Sequence, residues 1–180
     1  MSTLARLVHF RWAVPVLAEL HRGHGGRFVN LSHTLGVSRE SLRRTLTFLT
    51  ETGLIQRNPG KGHPLRPEYL LTHTQLGADA AVLTDLLDEL GVTDVGLKKW
   101  SLPTLTLLVG ERRFSEIRRA LRDVTPRALT LTLKELESAD LISRTVTTDY
   151  PPATVYRATT PGLQLAHAAQ QMQLQDEQDA

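Results

Sequence analysis

Apolar positions along this chain fall into helical and strand-like periods, and the order of those periods repeats. In the second half, Leu102, Leu105 and Leu108 keep helical spacing and Gly110 closes that helix. A short helix is predicted from about Ser115 to Leu121. In Asp123-Val124-Thr125-Pro126, Thr125 is a good N-cap, and Pro126 takes the first helical position, where its missing N–H costs nothing. The helix that follows buries Leu129, Leu133 and Leu136 at i, i+4 and i+7 and ends near Asp140. Leu141 to Thr147 and Thr154 to Thr160 then alternate around Tyr150-Pro151-Pro152, which predicts a β-hairpin. The first half repeats the order: Gly36 at a sharp turn, Ser38 as N-cap, Leu42, Leu46 and Leu49 inward, and Asn58-Pro59-Gly60-Lys61-Gly62 in a hairpin tip. The expected fold is mainly α with small β-hairpin wings, as tandem winged helix-turn-helix domains.

The repeat holds when tested by offset. Trp12 and Pro15 return as Trp100 and Pro103, Phe28 and Leu35 as Phe114 and Leu121, and Val37-Ser38 as Val124-Thr125. Leu42, Leu46 and Leu49 match Leu129, Leu133 and Leu136; Leu54, Ile55 and Arg57 match Leu141, Ile142 and Arg144. Tyr69 with Thr72 returns as Tyr156 with Thr159, and Gly77 as Gly162. These pairs predict a first domain over 1–90, a linker over 91–96, and a second domain over 97–180 that ends in an amphipathic helix.

Charge adds to this picture once it is divided along the chain. The net value is only +2, yet residues 1–78 carry +6, 79–95 carry −5, 96–158 carry +4 and 159–180 carry −3. Basic bodies alternate with acidic segments. The acidic segments hold amphipathic helices, one through Leu83, Leu86, Leu87 and Leu90 and one through Leu165, Ala169 and Met172. These two, with an N-terminal helix through Leu4, Leu7 and Val8, are expected to pack together within one chain and set the spacing of the basic helices. Dimerisation between chains is the alternative.

Taking 100° per residue, Glu40, Arg43, Arg44 and Thr47 lie opposite the apolar face of the third helix. Arginine pairs bidentately with guanine, and a carboxylate accepts from a cytosine amino group or steadies an arginine. The matching outward set in the second half is Arg127, Thr130, Leu131 and Lys134. It is less polar, and Leu131 suits either a thymine methyl or a protein surface. Lys61, His63 and Arg66 in the first hairpin suit phosphate or minor-groove contact, whereas the second tip has only neutral or acidic residues around Asp149 and Tyr150. With Ser38, Arg39 and Thr125 at the helix starts, these residues form the expected DNA-binding set.

The second half resembles a known family. Lys99-Trp100, Arg113-Phe114-Ser115-Glu116-Ile117-Arg118-Arg119-Ala120-Leu121, Val124-Thr125-Pro126-Arg127, Leu133-Lys134-Glu135-Leu136-Glu137, Asp140-Leu141-Ile142 and Tyr156-Arg157-Ala158-Thr159 are similar to the HxlR family of bacterial winged-helix transcriptional regulators. The match covers most of 99–162; the first half agrees in outline through Trp12, Arg27-Phe28, Ser38 and Gly53-Leu54-Ile55. Family members are usually single-domain chains that dimerise on palindromic operators, so the resemblance implies a covalent pseudo-dimer. The unlike recognition helices then predict non-identical half-sites on double-stranded DNA, with repression by occlusion as the expected mode. Some members sense electrophiles through an N-terminal cysteine; this chain has no cysteine, so that mode does not carry over.

Other classes find little support. His21 and His24 lie in a glycine-rich loop without a third ligand at metal spacing, and the loop lacks the Lys-Ser/Thr of a phosphate-binding loop. No nucleophile elbow or catalytic carboxylate pair is present. Neither an enzyme, a cofactor nor a metal site is expected, and the sequence leaves open whether a small-molecule effector binds. No apolar run reaches spanning length, so a cytoplasmic, nucleoid-associated protein is expected. The alternative function is a tandem winged-helix module for protein interaction or chromosome organisation.

Overall fold

The computed structural model describes residues 3–60, 66–148 and 150–174. The chain divides into two compact units, one of His9–Asp85 and one of Leu86–Ala180 together with Met1–Val8.

The first unit begins with α2 (Ala13–Arg22), preceded in the chain by α1 (Thr3–Leu7), and continues with α3 (Phe28–Leu35) and α4 (Arg39–Glu51). Gly23 and Gly36 end α2 and α3 in the left-handed conformation, at φ 73° and 59°, which glycine adopts without a Cβ penalty. Ser38 Oγ accepts from Ser41 N at 3.2 Å and starts α4. The unit closes with an antiparallel pair, β1 (Ile55–Asn58) and β2 (Glu68–Leu71), in the register Ile55 to Leu71 and Arg57 to Tyr69. Leu17, Leu31, Leu42, Leu46, Leu49 and Ile55 are fully buried where the three helices and the hairpin meet. The helix α5 (Thr74–Glu89) follows and is tied to the end of α2: Arg22 Nη1 lies 2.6 Å from the buried Glu19, while Nη2 reaches Thr84 Oγ1 and Asp85. Burial works against the charge of Arg22, but its hydrogen bonds to Glu19 and Asp85 outweigh that and raise its pKa.

The second unit holds α6 (Thr93–Gly96), α7 (Ser101–Leu107), the short strand β3 (Arg112–Arg113), α8 (Phe114–Ala120) and α9 (Pro126–Ser138). A hairpin of β4 (Ile142–Val146) and β5 (Thr154–Ala158) and a last helix α10 (Thr160–Leu174) complete it. The strands form one antiparallel sheet in the order β3-β5-β4. Leu129, Leu133 and Leu136 are buried as expected, and Arg122, at φ 26°, occupies the turn that glycine makes in the first unit.

Packing adds detail at both ends of the expected first domain. Of the terminal helices expected to pack together, α1 and α10 do so: Leu4 and Leu7 are fully buried, and α1 lies on α10 in the second unit. An apolar face on a five-residue helix needs a partner surface, and α10 supplies it. The stretch 91–96, expected as a linker, contains α6, where Gly96 lies against the end of the Leu87 side chain. The strand β3 is a further addition to the expected elements, because two residues carry no period. Trp12 and Trp100 are half-buried at helix starts, with Arg11 and Lys99 over their rings.

Candidate nucleic-acid interface

The face of α4 opposite its buried leucines is open. Ser38, Arg39, Glu40, Arg43, Arg44 and Thr47 are all exposed. Each of these side chains carries a hydrogen-bonding group, as base edges and phosphates require. Arg43 Nη1 lies 3.2 Å from Glu40 Oε2, so one arginine of the pair is steadied by a neighbour one turn away. Both side chains remain about two-thirds exposed, which makes this pair worth little in stability and easily exchanged for a base or phosphate. Arg44 has no ion pair among the described residues. Arg39 lies over the Phe28 ring at 5.9 Å, which holds its guanidinium at the start of α4. The Ser38 hydroxyl is committed to the cap. Ser38→Ala is therefore expected to destabilise the chain by about 1 kcal/mol, measured by urea unfolding, with weaker DNA binding as a consequence of a frayed helix start.

In the first wing, Arg66 is exposed and its carbonyl faces Gly60, whose φ of 80° and lack of Cβ allow the approach. Lys61 and His63 lie outside the described residues.

The second recognition face is arranged alike but is chemically poorer. Thr125 Oγ1 accepts from Ala128 N at 3.1 Å, and Pro126 follows it. Arg127, Thr130, Leu131 and Lys134 are exposed, as expected. The Thr130 hydroxyl donates to the Pro126 carbonyl at 2.9 Å, and Leu131 is 55% exposed. Leu131 lines a shallow apolar depression of about 290 Å³ with Val95, Lys134, Glu135, Ser138 and Ala139. Beside it, Lys98 Nζ binds Glu135 Oε1 at 2.6 Å. Sequence reasoning misses this depression because α6 and α9 are about thirty residues apart and nothing in either segment signals the other.

His24 Nδ1 lies 3.0 Å from Glu19 Oε2, a pairing that the sequence does not suggest. Among the described residues no three potential ligands group as a metal site would, and no helix is long and apolar enough to cross a membrane.

Within each unit, two helices meet at a tight turn, the second offers an open outer face, and a hairpin stands beside them. That arrangement defines a winged helix-turn-helix protein. The chain belongs to the HxlR-like helix-turn-helix family, whose model matches it twice, over residues 7–93 and 95–178. An uncharacterized HTH-type transcriptional regulator of Methanothermobacter thermautotrophicus is 46% identical over 74 residues, 41% of this chain and 56% of that protein. The HTH-type regulator YkvN of Bacillus subtilis is 35% identical over 75 residues, 41% of this chain and 64% of its own length. The matched part thus spans about half to two-thirds of these relatives. The redox regulator HypR in its oxidized form is 34% identical over 48% of this chain and 91% of its own, with a TM-score of 0.44. The family and these named relatives are regulators, not enzymes.

Proposed function

We propose that this chain binds double-stranded DNA sequence-specifically and regulates transcription, as a repressor that occludes its operator. The observation that carries the reading is the outer face of α4: Glu40, Arg43, Arg44 and Thr47 stand exposed on a capped helix whose inner face is locked by buried leucines. In this reading the repeats over 1–90 and 97–180 each supply one recognition helix. Because α4 is polar and α9 carries Leu131, the half-sites are unequal and the first repeat is the stronger reader. One chain then does what two do in single-domain relatives, a covalent pseudo-dimer acting at the nucleoid.

The test has two arms. Duplex selected from genomic fragments should be retained and footprinted, with affinity falling steeply as salt rises, because phosphate contacts release counterions. Absence of any duplex shift at low salt would sink the reading. Light scattering should give the 20.0 kDa chain mass; twice that value would replace the pseudo-dimer by true dimerisation.

A second reading is favoured by one observation, the apolar depression at Leu131 on α9. There the second repeat docks protein, as in a tandem winged-helix interaction module. Leu131→Asp would then abolish partner capture while leaving DNA affinity intact.

A further inference from the structure

The expected sites leave the second wing without a DNA contact, since its tip carries no basic residue. Strand register changes that. In the sheet β3-β5-β4, Arg112 stands opposite Tyr156, and Tyr156 stands opposite Arg144. Residues directly opposite across neighbouring strands project to the same face. Arg112, Tyr156 and Arg144 therefore form one row across three strands, with exposed arginines flanking a half-buried ring. The two arginine positions are about 9–10 Å apart at the backbone, twice the interstrand spacing. Arg113 and Arg157 lie on the opposite face, so the three strands carry four arginines and no carboxylate.

The charge is uncompensated. Among the described residues none of the four arginines is in an ion pair. Glu116, the carboxylate nearest in sequence after Arg113, accepts instead from the Arg113 backbone N–H at 2.6 Å. Arg112 Nη1 donates only to the Glu111 carbonyl, at 3.1 Å.

The first unit solves the same place differently. Arg57 faces Tyr69 as Arg144 faces Tyr156, but the third position is Gly26, whose carbonyl accepts from Tyr69 N at 2.8 Å. A Cβ at Gly26 would overlap the Tyr69 carbonyl oxygen, so no side chain fits there. Arg27, in the place of Arg113, bridges to Glu68 and binds its carboxylate at 3.0 Å. In the first unit one of these arginines is paired and the third place of the row carries no side chain, whereas the second unit fills that place with an exposed arginine.

We infer that the row Arg112–Tyr156–Arg144 is a sugar-phosphate contact for duplex DNA, by which the second unit holds the backbone without reading sequence. Two guanidinium groups take phosphate oxygens, and the ring offers a flat apolar wall to the sugar between them. This rests on the DNA-binding reading above. It assigns the second repeat a role in affinity that the composition of α9 does not supply.

The experiment measures binding of the full chain to a mixed-sequence duplex of about thirty base pairs by fluorescence anisotropy over a salt series. Arg112→Ala with Arg144→Ala should lower the magnitude of the log K against log salt slope by about two, one for each phosphate that is no longer neutralised. At about 0.1 M salt the affinity should fall roughly ten- to hundredfold, by the same factor for a mixed sequence and for a selected operator. Arg112→Lys with Arg144→Lys keeps the charge and should keep the slope. If the alanine pair melts early, Arg112→Gln with Arg144→Gln retains the stems and takes its place. A wild-type chain that binds while the neutral variants bind equally, with the same slope, overturns this contact alone. A loss confined to the operator also overturns it, since the row would then read bases. A wild-type chain that shifts no duplex at low salt overturns this contact and the DNA-binding reading together.

Discussion

Arg43→Ala combined with Arg44→Ala is expected to remove about 1–3 kcal/mol of operator binding for each bidentate arginine–base pair that the substitutions abolish. Each such pair then accounts for roughly a five- to 150-fold change in Kd. Both side chains are exposed on the outer face of α4, and neither supports the core, so thermal unfolding should move by no more than about 0.5 kcal/mol. Loss of binding without loss of stability is the signature sought. The two positions are separable, because Arg43 lies 3.2 Å from Glu40 and Arg44 lacks such a partner among the described residues. Glu40→Gln should therefore loosen Arg43 and relax discrimination at one base position, leaving Arg44's intact. Unchanged operator affinity in the double variant would mean that α4 does not read bases.

Gly162→Ala should destabilise the chain by on the order of 3 kcal/mol, lowering Tm by roughly 6–12 °C. Gly162 lies in the first turn of α10, and a Cβ there would overlap the Leu141 carbonyl oxygen. That carbonyl already accepts from Thr159 N at 3.0 Å, which joins the end of the wing to the start of α10. The obstacle is backbone, so it cannot rotate away. The matching Gly77→Ala overlaps only the end of the Leu71 side chain, which can shift, and comes close to the His21 Cβ without meeting backbone at that range, so it should cost less. Circular dichroism melting of the full chain compares the two. Equal Tm for Gly162→Ala and the wild type would show that α10 is not seated on the wing as described.

The paired glycines also show where sequence reading stops. Gly77 and Gly162 are recognisable as landmarks of one repeat, but their unequal tightness is not, because it depends on which atoms of a neighbouring segment approach. The caps at Ser38 and Thr125 and the leucine spacings of α4 and α9 are legible, since each is a property of a few adjacent residues. Exposure of the expected α4 and α9 residues follows from the same periodicity. The two-residue strand β3 is illegible: alternation needs length, and only pairing with β5 reveals it. The Glu19–Arg22–Asp85 link is hidden too, because it joins helices more than sixty residues apart.

The sequence by itself determined the repeat, the helix order, the caps and the open polar face of the first recognition helix. All of these rest on periodicity and short-range chemistry. Tertiary structure alone decided two other matters: that α6 and α9 frame an apolar depression, and that Arg112, Tyr156 and Arg144 stand in one row. Each depends on packing or strand register between segments distant along the chain, and register fixes which side chains share a face.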